Sequence, residues 1–422
     1  MSIKLMLRRF LLEYAREPAF FWREALFWCF WLSIAFFPIG YGYREVMPPL
    51  CGIFLLLYLK HSWHTSTIHK LGKLAWLFVL AAIMTVLGVI FSIHPWDSFL
   101  HACMGLNKAY ILPFIAMECV RDVRDLERLC WACAFACFWQ GLDGLWQAYT
   151  GVDFIMGYTH TGRLTGSMGD YTVGNYLALA LVPAFGIFFI LGRQLSSWAN
   201  CFLCLAVFWP PFFLFMGASS RSGTLAIAAA LALWAVMRFG WKNWLWLLLP
   251  VAFAGLFLLF QAARFAPDAV LNDNRWDLWR LGWEVFSAHP WFGAGAGQYN
   301  AAFRELGLAP LREVITISHP HNLYLDLLYA HGITGFAAGM IFLCGFLLWG
   351  FRHIRRGLRK SESHDLYWIL TAWFWLGYAA WFVNGIFGHD FYRIWWLALA
   401  MSNMGVMIGA ILNAPGKTRA VS

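Results

Sequence analysis

The side chains able to do chemistry gather in residues 275–335. This stretch reads RWDLWRLGWEVFSAHPWFGAGAGQYN, then a polar connector, then ISHPHNLYLDLLYAHGITG. Within it His319 and His321 form SHPHN, and Pro320 interrupts helix geometry so that His321 and Asn322 open the next apolar helix. A neutral imidazole, with an ordinary pKa of about 6.5, accepts a proton from a hydroxyl at physiological pH. The same two histidines make only a bare HxH as metal ligands. A third and fourth ligand are missing locally, and His389 and Asp390 are far along the chain, so no metal is expected. No DxD and no P-loop occurs, and Gly293, Gly295 and Gly297 lack the strand–helix context of a dinucleotide site, so no cofactor is expected either.

Four cations could complement such a base. Arg275 opens an apparent helix, WDLWRLGWEVF, which Pro290 and the glycines end. Arg163 lies in GRLTGSMGDY, Arg221 in the short turn GASSRSG, and Lys108 about two turns inside an apolar segment, a depth at which an ionisable residue is a functional hypothesis. Converging on one pocket, three guanidinium forks and an ammonium would bind a di-anion. For Arg264, Arg304 and Arg312 the simpler reading is snorkelling to lipid headgroups. Asp326 and His331 read as satisfied polar groups in a helical core. His319 is the alternative to His321 as the base.

The elements that must position these residues are membrane helices. Of 422 residues 61% are hydrophobic and 13% charged, and mean hydropathy is +0.60; soluble chains are about a quarter charged. Apolar segments at 24–41, 44–60, 73–93, 100–119, 128–149, 172–191, 199–217, 223–238, 243–262, 321–350, 366–387 and 391–412 predict about twelve spans. Most of the 31 Lys and Arg residues fall in the even loops and the termini, which places both termini in the cytoplasm and explains the net charge of +9 without invoking nucleic acid. The basic, amphipathic 1–24 stretch has no small-residue cleavage site and reads as an interfacial helix. Two external loops are long, 150–171 and 263–320, and the second is too long for a connector. The whole of 1–422 is expected to form one membrane domain. The 10 cysteines lie almost wholly in apolar segments and read as small hydrophobes.

GRLTGSMGDYTVGNYLAL, SSRSG, NRWDLWRLGWEVFSAHPWFGAGAGQY and HPHNLYLDLLYAHGITG together resemble the successive motifs of the bacterial O-antigen ligase / O-antigen polymerase superfamily. The resemblance implies a GT-C-like, all-α glycosyltransferase of the inner membrane with a periplasmic active site. It implies an undecaprenyl-pyrophosphate-linked glycan as donor and, for a ligase, the lipid A–core oligosaccharide as acceptor, with neither nucleotide nor metal. Carried over by motif, Arg163, Arg221 and Arg275 would hold the pyrophosphate and His321 would serve the acceptor hydroxyl; Lys108 is added from its depth and side. Displacement opposite the leaving pyrophosphate would invert the anomeric centre. An O-antigen polymerase or a protein O-oligosaccharyltransferase using the same donor is the alternative, and a lipid-linked glycan transporter is a further one.

Overall fold

The computed structural model describes residues 17–159, 162–169, 172–240, 245, 248–260, 273–310, 319–360 and 365–415. The expected interfacial helix within 1–24 therefore falls mostly outside the described residues, as do Arg264, Arg312 and parts of both long loops. Among the described residues the chain is helical, with one isolated bridge, Val152–Thr159, and no strand.

In chain order the helices are α1 (Pro18–Ala35), α2 (Tyr41–Ser62), α3 (Ala75–Ile90), α4 (Pro95–Phe99), α5 (Leu106–Glu118), α6 (Val123–Thr150), α7 (Val173–Ala184) and α8 (Gly186–Leu191). They continue as α9 (Ser197–Ala218), α10 (Arg221–Phe239), α11 (Leu248–Phe260), α12 (Arg275–Ala288), α13 (Tyr299–Glu305), α14 (Leu323–Lys360), α15 (Leu366–Asn384) and α16 (Ile394–Leu412). Seven helical segments among the described residues are long and apolar enough to cross a membrane. Large apolar side chains such as Trp76, Trp198, Phe202 and Leu205 point outward, as a lipid solvent requires. The chain is thus built as a multi-pass membrane protein.

Local chemistry sets the helix starts. Asp122 accepts the N–H groups of Arg124 and Asp125 at 2.9 and 3.1 Å, Ser196 that of Ala199, Ser220 that of Gly223, and Asp365 that of Tyr367. Packing is organised around α15, which is almost wholly buried and contacts α7, α10, α14 and α16. Helix α16 lies against α5 because Gly405 and Gly409 present no side chain: a Cβ at either would meet backbone of Pro113 or Met117 at 2.5 Å.

The two ends of the bundle differ. At one end Arg23 pairs with Asp125 and Glu24, Arg121 bonds Tyr58, and Lys70 reaches Asn413 at 2.7 Å. At the other end lie the residues singled out for chemistry. There the 290–297 segment is laid across a break in α14 at Gly332, whose φ of 60° interrupts the helix. The N–H groups of Ala294, Gly295 and Ile333 donate to the carbonyls of Tyr329, Ala330 and Pro290 at 2.8–3.0 Å, so the broken turn stays satisfied. Gly293 is required: its φ is 79°, and a Cβ would sit 2.3 Å from the Ala330 carbonyl carbon.

Candidate active site

The loop after α6 brings Arg163 to the turn between α9 and α10. Gln147 accepts the N–H groups of Thr165 and Gly166 at 2.9 Å and donates to Thr165 Oγ1 at 3.1 Å, while Ser167 donates to Gln140 at 2.7 Å. The Leu164 N–H reaches the Gly217 carbonyl at 3.2 Å. Buried amides deep in α6 therefore pull this loop down onto the bundle and set Arg163 beside the segment that ends at Arg221.

Arg221 is the first residue of α10, where unpaired backbone N–H groups already favour negative charge. Its turn is fixed by Asn175, whose Oδ1 accepts from Ser220 Oγ at 2.6 Å and Ser222 Oγ at 3.0 Å, and whose Nδ2 donates to the Gly388 carbonyl at 2.9 Å. Arg221 Nη2 donates to Asp273 Oδ2 at 2.6 Å; Arg275 Nη1 lies 3.9 Å from the same oxygen, and the Arg275 N–H donates to Asp273 Oδ1 at 3.1 Å. Burial pushes the Asp273 carboxyl up, but the Arg275 N–H and both guanidiniums outweigh burial and hold it below the usual carboxylate range. Burial lowers the Arg275 pKa, with the charges of Arg221 and Arg163 acting in the same direction against Asp273 and Asp390. Arg163 and Arg221 thus both lie within electrostatic reach of Arg275. A cavity of about 220 Å³ opens between Arg221, Asp273, Arg275, Trp279 and Phe387. Lys108 belongs to α5, which packs on α2 and α16 rather than on these turns; its side chain lies outside the described residues.

His319 and His321 precede α14 with ring centroids 4.3 Å apart. Asn322 caps the helix, accepting the N–H groups of Tyr324 and Leu325 at 3.0 and 2.9 Å, so His321 stands just outside it. The His321 φ of 53° is a conformation that non-glycine residues rarely take. It is held by Asp390, whose carboxylate receives the N–H groups of Asn322, at 3.2 Å, and of His321. Burial and the nearby Asp326 carboxyl push Asp390 well above the usual carboxylate range, against the pull of Arg393 and these two N–H groups.

His319 is engaged differently. Its Nε2 lies 3.0 Å from Asp390 Oδ2 and accepts from Arg393 Nη2 at 3.1 Å. Burial, then the charges of His321 and Arg393, push it down to about 2, so it stays neutral at physiological pH. One nitrogen lone pair of His319 is already committed.

The sequence reading separates His319 and His321 from Asp390; the fold joins them. Ligand atoms of the three lie within 4.8 Å of one another, the number and type that a divalent cation accepts. Arg393 stands against two of them, at 3.1 Å from His319 Nε2 and with Nε 4.0 Å from Asp390 Oδ2, and supplies the positive charge that a metal would bring. The donor set fits a guanidinium better than an ion.

Asp326 and His331 are tied to one residue, Tyr392: Asp326 Oδ2 accepts its N–H at 3.1 Å and His331 Nε2 bonds its hydroxyl. These are core polar contacts. Asp273, Asp390 and Arg393 are the residues that sequence reasoning missed as partners of the site. Arg393 had one signal, a cation on the external side against the topogenic bias; Asp390 had only its ligand type, set aside for its distance along the chain, and Asp273 had none.

Residues 205–340 match the family model described as O-antigen ligase, a segment that includes Arg221, Arg275, His319 and His321. No curated protein matches the chain.

Proposed function

We propose that this chain is a glycosyltransferase of the O-antigen ligase kind, a reading that the match of residues 205–340 to the O-antigen ligase family model supports. It moves O-antigen polysaccharide from undecaprenyl pyrophosphate to the lipid A–core oligosaccharide at the periplasmic face of the inner membrane, in lipopolysaccharide biosynthesis. The reading takes the chain as a single GT-C-like domain over 1–422 with about twelve spans, 263–320 as its periplasmic loop, and both termini in the cytoplasm. One observation carries it: Arg163, Arg221 and Arg275 meet at the end of the bundle that also holds the His319–His321 pair.

The chemistry follows from that pairing. The acceptor hydroxyl oxygen attacks the anomeric carbon, the bond from that carbon to the pyrophosphate oxygen breaks, and the pyrophosphate leaves with the electron pair. The three arginines, with Lys108 if its ammonium reaches the same pocket, stabilise the charge that develops on the phosphates. His321 takes the hydroxyl proton. His319 orients, since its Nε2 already accepts from Arg393. The reaction inverts the anomeric centre and needs no metal, the positive charge coming from guanidiniums.

The test is purified protein incubated with undecaprenyl-pyrophosphate glycan and lipid A–core in EDTA, comparing wild type with His321→Ala and Arg221→Ala. Glycan on lipid A–core, lost in both variants, supports a metal-independent ligase. Longer lipid-linked chains without transfer to core indicate a polymerase, transfer to a protein hydroxyl indicates an oligosaccharyltransferase, and donor binding without any covalent product indicates a transporter. A retained anomeric configuration in the product refutes the displacement.

A further inference from the structure

A cavity of about 470 Å³ lies at the end of the bundle opposite the arginine cavity, the cytoplasmic end in the topology proposed above. Three elements wall it: the start of α1 with Arg23, the end of α2 with His61 and Thr65, and the turn between α5 and α6 with Arg121. The volume suits a lipid headgroup.

The walls are rich in donors. Arg121 donates to the Tyr58 hydroxyl and forms no ion pair among the described residues. Arg23 is buried and answered by Asp125 and Glu24, yet its Nε is shielded from solvent with no hydrogen-bond partner among the described residues. A buried donor left open is unusual and marks a missing acceptor. Helix α1 opens on Pro18 at this cavity without a side-chain cap from Glu17, so the N–H groups of Ala19 and Phe20 in its first turn are left for an outside acceptor. Glu17, the carboxylate in the lining, is exposed, where solvent screens it. Beyond the lining, the chain from 46 to 96 holds no acidic residue and exposes Lys60, His64, His69 and Lys73. Topogenic bias accounts for basic residues on this side; it does not account for a cavity to which three elements bring them. Phe20 in the lining and Trp63 beside His61 and Thr65 are exposed, the aromatic anchors of a membrane interface.

We infer that this cavity binds the phosphodiester headgroup of an anionic phospholipid of the surrounding membrane. Basic pockets between membrane helices on the cytoplasmic side hold such headgroups, since guanidinium and backbone N–H groups answer phosphate oxygens where the bilayer itself is negatively charged. Inorganic phosphate would use the same donors, but nothing in it would answer the exposed rings of Phe20 and Trp63, so the occupant is the lipid. A headgroup touching all three walls braces α1 against α2 and α6, at a junction otherwise tied by the Arg23–Asp125 pair and the Arg121–Tyr58 bond. The site is independent of the glycosyl-transfer reading and adds a second lipid to the one that reading names.

The test uses the full chain, delipidated in a neutral detergent, with three probes: phosphatidylglycerol, phosphatidylcholine with the same acyl chains, and inorganic phosphate. Native mass spectrometry reads retention and thermal unfolding reads stability. Wild type is expected to retain close to one phosphatidylglycerol, to bind it roughly tenfold more tightly than phosphatidylcholine, and to melt several degrees higher with it, while millimolar phosphate gives no rise. Arg121→Gln is expected to weaken phosphatidylglycerol binding about fivefold, the worth of one cation near an anionic headgroup. Thr65→Glu, an exposed position on another wall, keeps the test open should Arg121→Gln fail to fold, and is expected to abolish retention. Arg352→Gln, an exposed cation on α14 outside the cavity, is expected to change nothing. Equal binding of the two lipids, unchanged retention in Thr65→Glu, or a loss in Arg352→Gln equal to that in Arg121→Gln would overturn the site. A rise with phosphate matching that with phosphatidylglycerol would overturn the lipid as its occupant. Glycosyl transfer is read in a separate assay, so either reading can fail while the other stands.

Discussion

Arg221 and Asp273, 52 residues apart in the chain, form a close ion pair at the arginine cavity: Nη2 donates to Oδ2 at 2.6 Å, with both side chains about one-fifth exposed. The same carboxylate oxygen faces Arg275 Nη1 at 3.9 Å. A site assembled from like charges needs such a counter-ion in the absence of an anion, since guanidiniums cannot relieve repulsion by losing a proton. Asp273 therefore holds the cations together and also competes with any phosphate for them.

Replacing that carboxylate separates the two roles. Asp273→Asn is expected to bind a polyprenyl pyrophosphate several-fold more tightly than wild type, and Arg221→Ala to lose affinity by tenfold or more. Microscale thermophoresis with a labelled protein checks both; weaker binding in Asp273→Asn would mean that the carboxylate only positions Arg221.

The same pair has a pH signature. The folded-state Asp273 pKa lies below its ordinary value. Its stabilising contribution is therefore complete above the unfolded-state value of about 4 and lost as pH falls through the folded-state value. Melting curves between pH 6 and 3 should show a steeper acid fall for wild type than for Asp273→Asn.

His319 and His321 are distinguishable by rate and by stability. His321→Ala should lower transfer roughly 10²–10⁴-fold, the usual worth of a general base, whereas His319→Asn should cost less and keep the acid limb of the pH–rate profile. His319 has a folded-state pKa of about 2, below the unfolded value of about 6.5. Its contribution to stability is full above pH about 6.5 and declines below it as the unfolded chain takes up the proton. His319→Asn should flatten that decline in melting temperature between pH 6.5 and 4.

Arg393 stands against His319 and Asp390 of the His319–His321–Asp390 group. Removing it should make a metal site of the remainder: Arg393→Ala, incubated with Zn²⁺ and desalted, is expected to retain close to one equivalent by mass spectrometry, and wild type none. Retention by wild type would show that the guanidinium yields to an ion.

Gly293 at φ 79° faces the Ala330 carbonyl carbon with room for no Cβ. Gly293→Ala combines left-handed backbone strain with backbone overlap, and a loss of about 1–3 kcal/mol is expected, read as a fall of several degrees in melting temperature. An unchanged melting temperature would mean that the 290–297 segment is not needed to hold the break in α14.

The sequence by itself determined everything that depends on neighbours along the chain. Twenty-residue apolar runs mark the helices, the spacing of Trp, Leu and Val in WDLWRLGWEVF marks α12, and the SHPHN order marks the start of α14, where the structure makes Asn322 the cap and leaves His321 just outside the helix. The clustering of Arg221 and Arg275 was also within reach, since both sit at turns expected on one side. Only the tertiary structure decided who answers those charges. Asp390 reaches Asn322 and His319 across about 70 residues, and Asp273 reaches Arg221 because the start of α12 is brought to the start of α10. No periodicity encodes such pairings: a carboxylate in a loop reads the same whether it faces solvent, lipid headgroup or an arginine, until packing removes the water around it and leaves one partner.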